Sequence, residues 1–286
     1  MPNKKLLKES FEKLCNELKN DLNGKSIKND ITSNYLLDDS SEFKCEISNR
    51  ENIILCGAEF IRYFFKKKFP KIKIQPFHKD GAKLKKNSKI FGISGNSKVI
   101  LATERTVLNF LQHLSSISTL THKFILAMNS TKTKLKNTRK TTPGLRVLEK
   151  YATVIGGAID HRMGLFDQIL VKDNHIKALG KIETALSKLN EKKQKFQIEC
   201  ENIDEVKKSI AMGAKYILLD NMRPKEIQNC IKLRNNKNIE FEITGGISIN
   251  NISKFSNLGA DYISTGKITN SANSVDIGLD LSLIHI

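Results

Sequence analysis

The chain has 286 residues, 39% apolar and 27% charged, with a formal net charge of +18. That length holds one large domain or two ordinary ones, and either can bury a core without disulfides or a structural metal. The composition excludes an acidic disordered chain, a collagen and a small disulfide scaffold. Leu7, Phe11, Leu14, Cys15, Leu18 and Leu22 recur at helical spacing and predict an amphipathic helix at the start. A polar stretch over 23–34 ends it. β-like runs follow at 43–47, 72–74 and 98–101, with a helix over 56–67 between them. This mixture predicts an α+β unit of roughly 110 residues. The stretch 103–128 is helical again, with Val107, Phe110, Leu111 and Leu114 on one face.

From Lys134 onward short strands alternate with helices. The strands are predicted at Lys134–Lys136, 168–171, 196–198, 216–219, 239–243 and Tyr262–Ser264, and helices at 203–212, 224–233 and 250–258. Two segments look alike, MGAKYILLD at 212–220 and LGADYISTG at 258–266, each with Gly-Ala closing a helix before a strand. Serial βα units argue for parallel strands in a barrel-like sheet, whose chemistry sits where strands end. That rule selects Arg139, Lys172, Glu201, Asp220, Gly245, Gly246 and Gly266.

Charge is distributed unevenly. The densest basic stretch runs from Arg62 to Lys98 with Asp80 as its single acid. It reads either as a nucleic-acid face or as a solvated lysine surface. Without interleaved aromatics or a DNA-binding motif the second is preferred, and no nucleic-acid partner is expected. Of the eight arginines, Arg105, Arg139, Arg146 and Arg162 fall within 58 consecutive residues. In a chain that otherwise uses lysine, arginine marks places where a planar fork must grip carboxylate or phosphate. No apolar run reaches the roughly 18 residues of a membrane span. The five cysteines show no ligand spacing, which suggests reduced thiols and a cytoplasmic protein.

Three constellations carry chemistry. The first is basic: Arg139, Lys140, Arg146, His161, Arg162, Lys172 and His175 suit a ligand with several carboxylates or phosphates. Taken singly, Arg146 could pair only with Glu149, and His175 could be a satisfied structural histidine. The second is acidic: Glu201 and Asp220 suit Mg²⁺ carried by a phosphate ligand, although Glu201 could instead cap the next helix. Glu199 is read as flanking the sheet. The third is glycine-rich, TGGI at 244–247 and STG at 264–266, where backbone N–H groups could meet a phosphate.

The segments NTRKTTPGLR at 137–146, GGAIDHRMGLFD at 156–167 and VKDNH at 171–175 closely resemble the quinolinate phosphoribosyltransferase family. ATERTVLNFL at 102–111, ECE at 199–201, LDN at 219–221 and TGGI at 244–247 follow in the family's order. The resemblance implies an N-terminal α/β sandwich over 1–115, rejoined by 270–280, and an open TIM-like α/β barrel over 116–269. It implies homodimers, or larger assemblies of dimers, whose active sites are shared between subunits. The implied reaction joins quinolinate to phosphoribosyl pyrophosphate with Mg²⁺, giving nicotinate mononucleotide, pyrophosphate and CO₂ in NAD biosynthesis. By motif position Arg139, His161, Arg162 and Lys172 would hold quinolinate, with Arg105 arriving from the neighbouring subunit. Lys140, beside Thr138, would contact pyrophosphate, and Glu201 and Asp220 would bind Mg²⁺ and the ribose. Thr244, Gly245, Gly246, Thr265 and Gly266 would take the 5′-phosphate. The catalytic set is then Lys140, Lys172, Glu201 and Asp220.

The chain departs from the family at Asn270, where relatives commonly carry a histidine, and over 20–32, which matches loosely. Residues 281–286 read as an appended, non-native tail. A related phosphoribosyltransferase acting on another acceptor, such as nicotinate, is the alternative. A monocarboxylate would not need Arg105, Arg139, Arg162 and Lys172 together.

Overall fold

The computed structural model describes residues 2–24, 26–235 and 238–281. In chain order the first elements are α1 (Lys4–Asp21), α2 (Ile31–Leu36), β1 (Glu42–Asn49), β2 (Ile53–Ile54) and α3 (Ala58–Lys68). They continue with β3 (Lys73–Pro76), β4 (Lys83–Leu84), β5 (Lys89–Asn96) and α4 (Ser97–Met128). Then come β6 (Lys134–Lys136), α5 (Arg146–Ile155), β7 (Ile169–Val171), α6 (Asp173–Leu179), α7 (Ile182–Glu191) and β8 (Phe196–Cys200). The chain ends with α8 (Ile203–Ala211), β9 (Tyr216–Asp220), α9 (Pro224–Lys232), β10 (Glu240–Thr244), α10 (Ser253–Ser256), β11 (Tyr262–Ser264), α11 (Lys267–Asn270) and β12 (Ile277–Leu281).

Two compact units result. Among the described residues, the first takes those within 1–120, 147–156 and 272–281, and the second those within 121–146 and 157–271. The segment 147–156, most of α5, thus groups with the first unit although the sequence placed it within the barrel. Residues 282–286, most of the stretch read as an appended tail, lie outside the described residues. Leu281 is the last residue of β12 and is paired with Cys45.

The first unit is an antiparallel sheet in the order β12-β1-β5-β3 with helices packed on it. The predicted first helix forms because Asn3 caps it, its side chain accepting the Leu6 N–H at 2.9 Å, and because Leu6, Leu14 and Leu18 bury one face. Helix α3 has an unusual cap: the N–H groups of Gly57 and Ala58 both donate to the Asp80 carboxylate, at 3.0 and 2.8 Å. Asp80, the lone acid of the basic stretch, also accepts the Tyr151 hydroxyl at 2.8 Å. Its role is structural, and burial pushes its pKa up.

The predicted strand at 98–101 is the first turn of α4 instead. Its apolar, β-branched run cannot by itself be told from a buried helix. The Asn96 side chain accepts the Val99 N–H at 3.2 Å, and helix runs on from there. Strand β5, which pairs with both β1 and β3, was not expected because Gly92 and Gly95 interrupt its alternation. The helix predicted over 250–258 shrinks to the single turn α10.

The second unit is a six-stranded parallel sheet in the order β6-β11-β10-β9-β8-β7, interleaved with helices. The order leaves the parallel sheet open between β6 and β7, and at the β6 edge Lys136 makes a parallel bridge to Ile159. Strand residues alternate faces. Ile198, Ile217, Leu219, Phe241, Ile243 and Ile263 make one face fully buried and apolar. The other face carries Lys136, Gln197, Glu199, Asp220 and Glu242. Among the described residues no helix is long and apolar enough to cross a membrane.

Candidate active site

The ends of the parallel strands surround one cavity of about 370 Å³. The loop after β6 contributes Thr138, Arg139 and Lys140, and the segment before β7 contributes His161 and Arg162. Lys172 follows β7, Glu199 lies on β8, and Asp220 and Thr244 end β9 and β10.

The basic side is built by anchoring backbone first. Asn137, fully buried, donates from Nδ2 to Asp160 at 2.7 Å and accepts the His161 N–H at 3.0 Å. This holds the 160–162 backbone beside the end of β6. Arg162 is only 8% exposed and donates from Nη1 to the Gln168 carbonyl at 2.9 Å. Burial, and then the neighbouring Arg139 charge, push the Arg162 pKa down. Two guanidiniums held this close call for an anion with more than one negative group.

Lys172 pairs with Glu199 at 2.7 Å. Glu199 therefore faces the cavity, which corrects the sheet-flanking expectation. The signal was present in the strand: Ile198 and Cys200 take the apolar face, so Gln197 and Glu199 must take the other. Asp220 is pushed up by burial and then by the Glu199 charge, with Lys172 and Lys140 opposing.

Glu201 is exposed one residue past β8 and is not among the residues lining this cavity. It does not cap α8 either. Asn202 does so, its side chain accepting the Glu205 N–H at 2.9 Å while the Glu205 carboxylate accepts the Glu201 N–H at 2.8 Å.

The loops after β6, β10 and β11 are tied together. Thr265 Oγ1 donates to the Ile247 carbonyl at 2.9 Å and accepts the Lys267 N–H at 3.2 Å. Thr269 Oγ1 donates to the Lys140 carbonyl at 2.6 Å. The Lys140 stem runs against Gly266, where a Cβ would come within 2.8 Å of Lys140 Cδ. Gly245 has φ +87°, and a Cβ there would run into Asn221. Gly245, Gly246, Thr265 and Gly266 shape these loops and are not among the cavity's lining residues.

Other predicted residues lie apart. Arg105 is exposed on α4, in the first unit. Arg146 donates to Thr141 Oγ1 at 3.3 Å and to the Met163 carbonyl at 3.4 Å, while His113 is the 2.9 Å partner of Glu149. His175 accepts the Lys172 N–H at 2.9 Å and closes the start of α6. Asn270, at the end of α11, accepts the Ser271 hydroxyl at 3.0 Å.

Comparison with known proteins decides the family. Residues 30–115 match the quinolinate phosphoribosyl transferase N-terminal domain and residues 117–280 its C-terminal domain. The chain belongs to the quinolinate phosphoribosyltransferase family. It is 37% identical over 257 residues to the probable carboxylating nicotinate-nucleotide pyrophosphorylase of Bacillus subtilis, covering 89% of this chain and 88% of that one. The carboxylating nicotinate-nucleotide pyrophosphorylase of Mycobacterium leprae is 35% identical over 71% of this chain and 72% of its own. Among solved structures, the nicotinate-nucleotide pyrophosphorylase of Ehrlichia chaffeensis superimposes with a TM-score of 0.89 at 38% identity, covering 95% of this chain and 98% of that one.

Within this family frame, the donor set fits a magnesium ion that arrives with its ligand. Among the described residues no group of three or more His, Cys, Asp or Glu could hold a metal alone. Asp220, its charged form disfavoured by burial and by Glu199, favours a nearby cation. Few carboxylates together with phosphate oxygens are the ligands Mg²⁺ takes.

Proposed function

We infer that this chain transfers the phosphoribosyl group of phosphoribosyl pyrophosphate to quinolinate, with loss of CO₂, to give nicotinate mononucleotide and pyrophosphate. The observation that carries the reading is the convergence of Arg139, Lys140, Arg162 and Lys172 on one cavity that Asp220 also lines. A dicarboxylate and a pyrophosphate are the ligands whose charges match that set.

Arg139, Arg162 and Lys172 hold the two carboxylates and aim the pyridine nitrogen at C1 of the ribose. Orientation of this kind supplies a large part of the rate. Lys140 lies where the departing pyrophosphate gathers negative charge, and stabilises it as the C1–O bond breaks. Asp220, with Glu201 two residues beyond the cavity-lining Glu199, would hold Mg²⁺, which would supply further positive charge toward the pyrophosphate. The ring nitrogen takes the vacated bond to C1 and becomes positive. The bond to the adjacent carboxylate then breaks, CO₂ leaves, its electron pair stays on the ring carbon beside the positive nitrogen, and a proton from solvent takes up that pair to form the C–H bond.

The loops at Gly245–Gly246 and Thr265–Gly266 take the 5′-phosphate in this reading. A homodimer in which Arg105 enters the neighbouring subunit's site completes the dianion pocket. The enzyme is read as cytoplasmic, a reading that its five free cysteines support.

The test is an assay of purified protein with phosphoribosyl pyrophosphate, Mg²⁺ and either quinolinate or nicotinate. Product and CO₂ from quinolinate alone are expected; product from nicotinate instead would overturn the acceptor. Mixing Arg105→Ala with Arg162→Ala subunits should restore activity that each lacks. Mixtures that exchange subunits and stay inactive would refute site sharing.

A further inference from the structure

Beneath the cavity lies a buried charge cluster that the proposed reaction does not use directly. Glu242, on β10, is 1% exposed. Its Oε2 accepts Lys136 Nζ at 2.9 Å and Gln197 Nε2 at 3.1 Å, and its Oε1 faces His161 Nε2 at 3.6 Å. A carboxylate this deep is costly unless several partners hold it.

His161 links this cluster to the ligand cavity, whose wall it helps to form. Its Nδ1 accepts the Arg162 backbone N–H at 2.7 Å. A ring nitrogen that accepts cannot carry a proton, so the imidazole proton sits on Nε2, which lies 3.6 Å from Glu242 Oε1, an electrostatic contact rather than a hydrogen bond. The opposite ring edge is thereby fixed against the backbone of the residue whose guanidinium faces the ligand.

We propose that Glu242 is a positioning residue for the acceptor: it sets the tautomer and orientation of His161, and through His161 Nδ1 it holds the Arg162 backbone. This rests on the proposed reading of the cavity as the quinolinate site. The groups facing Glu242 are Lys136 on β6, Gln197 on β8, His161 before β7 and Ser264 on β11. Burial opposes its ionisation, but the Lys136 charge and the hydrogen bonds from Lys136 and Ser264 outweigh it and keep the carboxylate below its usual range. Lys136 is itself held on its other side, its Nζ 3.5 Å from the centroid of the Tyr262 ring.

The experiment uses the full chain and three variants: Glu242→Gln, Lys136→Met, and both together. Wild-type turnover of quinolinate comes first, so that failure of the functional reading is recognised separately. In Glu242→Gln the KM for quinolinate should rise about tenfold, the scale of one lost charge-assisted contact. The KM for phosphoribosyl pyrophosphate should stay within about twofold, a difference too small to signal a lost contact of that kind. The double variant removes the unpaired Lys136 charge but should keep the quinolinate defect. Recovery of the quinolinate KM in the double variant would reduce Glu242 to a partner of Lys136 and overturn the proposal. Nitrogen-15 spectra of labelled His161 give an independent readout. The wild type should show an unprotonated Nδ1 and a protonated Nε2, and Glu242→Gln should lose that preference. An unchanged tautomer in a folded Glu242→Gln protein would also overturn it.

Discussion

The two units each centre on a sheet, and they fill it with opposite kinds of residue. In the first, Cys45, Ile47, Phe91 and Ile93 of β1 and β5 join Leu14, Leu18, Phe64 and Phe65 in one apolar cluster. In the second, one face of the strands is equally apolar, but the other carries Lys136, Glu199, Asp220 and Glu242. Apolar packing is non-directional and stabilises in proportion to area. A charged interior is directional and costs desolvation, so it persists where it serves a ligand. Stability should therefore be concentrated in the first interior and chemistry in the second.

The sharpest test of this contrast is on the charged side. Arg139→Ala and Lys172→Ala should each lower turnover by about 10³-fold, the cost of leaving a buried carboxylate without its cation. Their melting temperatures should move little. Steady-state rates beside thermal melts check both halves, and a near-normal rate in either variant would break the site assignment.

The reverse behaviour is expected of Phe64→Ala, which should remove about 3–5 kcal/mol of stability by opening a cavity. Its turnover per folded molecule should remain close to wild type. Denaturant melts measure the first, and assays well below the transition measure the second.

Asp220→Asn should lose most activity yet melt roughly 1–2 °C higher in the free protein. Burial and Glu199 raise the Asp220 pKa in the fold, so its ionised form is a liability there. The penalty is absent below the ordinary carboxylate pKa, grows as pH rises toward the native value and is complete above it. The stabilisation should accordingly vanish in acid. A variant that melts lower at neutral pH would contradict this.

Smallest of all, Arg62→Ala breaks the exposed 2.8 Å pair with Glu59. It should change stability by no more than about 0.5 kcal/mol, within what surface pairs contribute.

Much of this was legible in the chain order of residues. Period-3.6 patterning marked α1 and α3, alternating βα units marked the parallel sheet, and strand ends marked Arg139, Lys172 and Asp220. Those signals are local, because a helix face, a strand and the residue that ends it are each defined by near neighbours. Glu199 was also readable from strand alternation, since Ile198 and Cys200 take the apolar face. What only the tertiary structure decided were partners distant in sequence: Asp80 capping α3, α5 grouping with the first unit, and Glu242 beneath His161. Such choices depend on which buried polar group lies within hydrogen-bond reach of another. Pairing of that kind is set by how strands and helices stack in space, and no spacing along the chain encodes it.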